Sequence, residues 1–97
     1  MRTLEEVKEI IRKHKAKLER DYKVKKIGVF GSLVRGCLTE DSDVDILVEF
    51  YEPISFFKFL ELEEFLSDII GMSVDLVSRK ALKPHIGRNI LQELVLI

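Results

Sequence analysis

The chain has 97 residues, 46% of them hydrophobic and 34% charged, with a net charge of −1. That is enough for one domain around one core over residues 1–97, and it excludes a low-complexity or collagen-like chain. A single cysteine, Cys37, rules out an internal disulfide, and no apolar run approaches the roughly 20 residues of a membrane span. A cytoplasmic protein with no membrane contact is expected.

Charge is unevenly spread. Residues 1–26 hold ten Lys/Arg against five Asp/Glu, and residues 27–97 hold six against twelve. The basic end reads first as solvated helix face and second as a surface for nucleic acid or an acidic partner.

Residues 3 to about 21 predict one amphipathic helix. Thr3 and Glu6 have the spacing of a capping box, and Leu4, Val7, Ile11, His14 and Leu18 form an apolar stripe with His14 at the core edge. Lys25 to Phe30 predicts a short strand. Gly31-Ser32 turns from it into about one and a half helical windings ending near Gly36. A second strand is expected from Asp43 to Phe50. Its alternation puts Val44, Ile46, Val48 and Phe50 toward helices, and Asp43, Asp45, Leu47 and Glu49 on the other face.

Pro53 suits the start of a helix that runs through residue 70, where Gly71 is the expected cap. Phe56, Phe57 and Phe59 near its start read as a core cluster rather than a base-stacking platform. Met72 to Val77 predicts a third strand. If Val74 and Leu76 face the helices, Asp75 shares the open face with Asp43 and Asp45. Arg79 and Lys80 follow that strand, as triphosphate contacts or as solvated surface. A last helix from about Lys83-Pro84 to the chain end carries Ile86, Ile90, Leu91, Leu94, Val95 and Ile97. Some of that apolar surface suits a second chain, in a homodimer or a hetero-oligomer.

Two short elements carry chemistry. A Gly-Ser pair leaving a strand offers backbone N–H groups and a hydroxyl suited to phosphate oxygens. Two Asp at i and i+2 on a strand lie about 6.5–7 Å apart on one face, and paired hard cations in phosphoryl-transfer sites sit about 3.5–4 Å apart. A D-x-D alone is common. Here Asp43 follows Ser32 by eleven residues, and Asp75 adds a third carboxylate. Carboxylates on one sheet face repel unless cations neutralise them.

Gly31, Ser32, Arg35 and Gly36, then Ser42, Asp43, Asp45 and Ile46, form the pattern G-S-x-x-R-G-x(5)-S-D-x-D-I. It resembles the signature of the DNA polymerase β-like nucleotidyltransferase superfamily. The short chain looks like the minimal nucleotidyltransferase branch, the MntA-type antitoxins paired with HEPN toxins. The resemblance implies an α/β fold, a small mixed sheet of about three strands flanked by helices. It implies ATP as substrate and two Mg²⁺ on Asp43, Asp45 and Asp75, with Gly31, Ser32 and Arg35 on the phosphates. It also implies transfer of AMP to a tyrosine of a HEPN-domain ribonuclease toxin. Two other readings compete: a binding module that silences its partner by masking it, and a nucleotidyltransferase acting on RNA or a small molecule.

Overall fold

The computed structural model of the protein describes residues 2–97, with the side chain of Ile86 outside the described residues. Helix α1 (Leu4–Lys13) opens on the expected capping box: Glu6 N–H donates to Thr3 Oγ1 at 3.2 Å, and Thr3 N–H donates to Glu6 Oε1 at 3.0 Å. The single helix expected over 3–21 is broken at His14, whose φ of −108° and ψ of 8° leave the helical region. Helix α2 (Lys15–Tyr22) follows directly. The break keeps the imidazole at the core edge, with Nδ1 2.8 Å from the Ile10 carbonyl and the ring edge-on to Phe65. Leu18 and Tyr22 reach the core beside Val7 and Ile11, on the face that the spacing predicts.

Strand β1 (Val24–Phe30) pairs antiparallel with β2 (Val44–Phe50), which pairs parallel with β3 (Val74–Ser78). A short helix α3 (Ser32–Arg35) follows β1. Parallel neighbours need a long crossover, and α4 (Phe56–Ile70) supplies it. Ser55, not Pro53, caps its start, accepting from the Lys58 N–H at 3.1 Å, and Gly71 ends it at φ 76°. Beyond a 3₁₀ turn (Arg79–Ala81), Pro84 opens α5 (Pro84–Glu93).

The last helix does not run to the chain end. Val95–Leu96 forms a fourth strand, β4, antiparallel to β1 at Gly28 and Val29, which gives the sheet order β3-β2-β1-β4. An apolar β1 left at the sheet edge would expose a row of unpaired backbone groups, and β4 covers it. Gly28 allows this approach. A Cβ there would stand 2.7 Å from Leu94 Cδ1 and 2.9 Å from the Val95 carbonyl oxygen.

One sheet face carries Ile27, Val29, Ile46 and Val48, all 0–1% exposed, against Val7 and Ile11 of α1 and Leu62, Leu66 and Ile70 of α4. The expectation for α4's first turn fails. Phe56 and Phe57 are 69% and 81% exposed, and only Phe59 packs inward, against Phe50. The buried positions of α4 are Leu62, Leu66 and Ile70; Phe59, three residues before Leu62, keeps near that stripe, whereas Phe56 and Phe57, six and five before it, turn away from it. The other sheet face presents Asp45 and Leu47 and is roofed in part by α5. Leu91 and Leu94 line a hollow there with Leu47. No described helix is long and apolar enough to cross a membrane.

Candidate active site

The site grows from the turn after β1. Gly31 has φ 76° and ψ −146°, a conformation open to glycine and strained for any other residue. A Cβ there would collide with Asp45 Oδ2. The missing side chain is what lets the second Asp of the motif lie against the turn. Ser32 begins α3 and is half-buried; its carbonyl accepts the Cys37 N–H at 3.0 Å, which closes the turn through Gly36.

Asp43 stands just ahead of β2 rather than within it. The turn before it is tied by Ser42: Thr39 N–H donates to Ser42 Oγ at 3.1 Å, and Ser42 N–H donates to the Thr39 carbonyl at 3.1 Å. The Val44 N–H donates to the Ser73 carbonyl at 2.9 Å and sets the parallel register. That register makes Asp45 and Asp75 direct cross-strand partners. Asp75 is exposed and Asp45 half-buried. Burial pushes the Asp45 carboxyl above its ordinary range, and the charges of Asp75 and Asp43 push it further; Arg35 opposes them in part.

The three carboxylates act on one another without meeting at a point. Asp43 lines a polar hollow with Arg2, Glu40 and Ser73, whereas Asp45 lines another with Gly31, Arg35 and Glu93. Among the described residues, no group of three or more His, Cys, Asp or Glu side chains is set to hold a metal ion. The chemistry of the donors still suits a hard cation. They are all carboxylate oxygens, and the like charges that crowd Asp45 would be relieved by one.

Arg79 and Lys80 sit in the 3₁₀ turn at the other end of β3 from Asp75. Arg79 lines the hollow beneath α5 with Lys26, Glu49 and Leu91. They are not beside the Gly31 turn.

Sequence reasoning missed Glu93. Its Oε1 accepts the Gly31 N–H at 2.8 Å, and its two oxygens accept from Arg35 Nη1 at 3.1 and 3.0 Å. Arg35 is held firmly in its charged form by the Cys37 sulfur and by Glu93. A signal was present. Glu93 is the only acid in α5 and ends it, and a carboxylate at a helix C-terminus opposes the helix dipole. Such a residue needs a donor from elsewhere in the fold.

The sequence and the mixed sheet are matched by known proteins. The chain belongs to the nucleotidyltransferase domain family, whose model matches residues 11–97. It is 50% identical over 97 residues to the protein adenylyltransferase MntA of Thermococcus cleftensis, covering 100% of this chain and 98% of that one. A solved chain assigned as a minimal nucleotidyltransferase superposes with a TM-score of 0.74 at 31% identity, covering 92% and 93% of the two chains. A crystal structure of a toxin–antitoxin with AMP-PNP gives a TM-score of 0.71 at 26% identity, covering 87% of this chain and 69% of that one. The protein is thus a nucleotidyltransferase of the minimal, MntA-type branch.

Proposed function

We propose that the protein moves AMP from ATP onto a hydroxyl of a partner protein, a tyrosine of a HEPN-domain toxin, and so acts as its antitoxin. The observation that carries the chemistry is the register of Asp45 against Asp75 with Gly31 packed on Asp45. A protein acceptor and a toxin–antitoxin setting accord with what related proteins are named for; the tyrosine and the HEPN domain rest on the resemblance of the motif.

Gly31 N–H, Ser32 Oγ and the Arg35 guanidinium bind and orient the triphosphate's outer oxygens. Asp43, Asp45 and Asp75 are the residues that would hold Mg²⁺, which when bound neutralises charge on the phosphates and lowers the pKa of the attacking hydroxyl. Asp75, the more open member of the Asp45–Asp75 pair, would either bind the metal or take the acceptor's proton. The acceptor oxygen forms its bond to the α-phosphorus as the bond to the bridging oxygen of pyrophosphate breaks. The products are AMP-tyrosine, pyrophosphate and one proton.

The test mixes the protein, Mg²⁺, α-phosphate-labelled ATP and the HEPN toxin, and resolves the products on a denaturing gel. Label on the toxin, absent with Asp43→Asn, supports the reading. A toxin that is silenced without label by the wild type and by Asp43→Asn alike would replace it with masking.

A further inference from the structure

We propose that Glu93 is the resident anion of the phosphate cradle, occupying it in the free protein and displaced when a triphosphate enters. This rests on the reading above that the Gly31 turn receives the triphosphate.

The donors that would take phosphate oxygens are already engaged. The Gly31 N–H is 2.8 Å from Glu93 Oε1, and Arg35 Nη1 reaches both Glu93 oxygens at 3.0 and 3.1 Å. A backbone N–H together with a guanidinium is what a phosphate oxygen seeks, and a carboxylate satisfies the same donors with a smaller charge. Among the described residues, Glu93 is hydrogen-bonded from the cradle side alone. It ends α5, where the helix dipole disfavours a carboxylate. The strand that anchors the chain after it, β4, has two residues.

Glu93 also has room to leave. With Phe30, Asp45, Asn89 and Ile90 it lines a hollow of about 340 Å³ beside the turn, so its side chain can swing away without moving the sheet. While it stays, its charge opposes the arrival of another anion. The affinity of the free protein for a triphosphate is therefore set partly by this internal competitor, and removing the competitor raises that affinity.

The experiment titrates AMP-PNP and inorganic tripolyphosphate, with and without Mg²⁺, into wild type and Glu93→Ala by calorimetry. Glu93→Ala should bind both probes on the order of tenfold more tightly, the scale of one charged hydrogen-bonding competitor. The gain should appear with tripolyphosphate as fully as with AMP-PNP, because the competition is for phosphate oxygens. Equal or weaker binding by Glu93→Ala would overturn the proposal and make Glu93 a clasp that positions Arg35. If wild type and variant both fail to bind either probe, the cradle reading itself falls, and this proposal with it. Should Glu93→Ala fail to fold, wild type decides. Saturation with AMP-PNP must shift the side-chain carboxyl carbon resonance of Glu93, and an unmoved resonance overturns the displacement.

Discussion

Asp45 of β2 and Asp75 of β3 stand side by side as register partners in the parallel pair, with Asp43 adding its charge from the turn ahead of β2. Such crowding works against the metal-free fold. Asp45→Asn should therefore raise the melting temperature of the metal-free protein by roughly 2–5 °C, the reach of a sub-kcal gain in a domain this small, while abolishing transfer. Mg²⁺ should raise the melting temperature of the wild type and leave that of Asp45→Asn nearly unchanged. Differential scanning calorimetry with and without Mg²⁺ checks both; a variant less stable than wild type without metal would refute the crowding argument.

Gly31→Ala should cost about 1–3 kcal/mol, because the residue is strained at φ 76° and its Cβ collides with Asp45. In the double variant with Asp45→Ala the collision is gone and only the backbone strain remains. Urea unfolding of the four proteins should give a double variant more stable than the sum of the single effects. Strict additivity would mean that the Asp45 contact is irrelevant at Gly31.

Asp21 gives a pH signature away from the site. Hydrogen bonds from Lys17 and Arg20 lower its carboxyl from 3.8 to about 2. Its folded value lies below its unfolded one, so the unfolded chain binds more protons between those two values. Asp21 thus contributes stability that is present above about pH 4 and lost as pH falls toward 2. The stability difference between wild type and Asp21→Asn should shrink over that interval. A constant difference in urea midpoints from pH 5 to pH 2 would show that the pair does not hold the charged form.

Phe56 and Phe57 lie mostly in solvent. The double substitution Phe56→Ser, Phe57→Ser should change stability by less than about 0.5 kcal/mol, the range of surface changes, whereas Phe59→Ala, with its side chain on Phe50, should cost more than about 1 kcal/mol. Thermal melts that rank the three aromatics equally would restore them to the core.

The parts of the fold that were legible in the sequence rest on local rules. The Thr3–Glu6 box, the alternation around Asp45 and the glycine at position 71 each specify their element within a few residues. What escaped depends on contacts far apart in the chain. Val95 and Leu96 continue a helical stripe as readily as they begin a strand, and only the open edge of β1 decides. His14 looks like one more turn of helix until Phe65 is beside it. Phe56 and Phe57 were legible too: counted back from Leu62, Leu66 and Ile70 at helical spacing they fall off the buried stripe, and the run of aromatics hid this. At the site, the motif named Gly31, Ser32, Arg35, Asp43 and Asp45, and the alternation of the third strand added Asp75, yet Glu93 lies 62 residues from the glycine it bonds. A motif confined to one stretch cannot include it.

Pairing of Leu96 with Gly28 closes a loop that includes every element after β1. The entropy of that closure must be met before two residues of strand can return anything. β4 should dock late, after β1, β2 and β3 have assembled, and its amides should exchange with deuterium ahead of the rest of the sheet. The Gly31 turn, which leans on α5 just before β4, would then mature last, so a chain with a finished core still has its candidate site to complete.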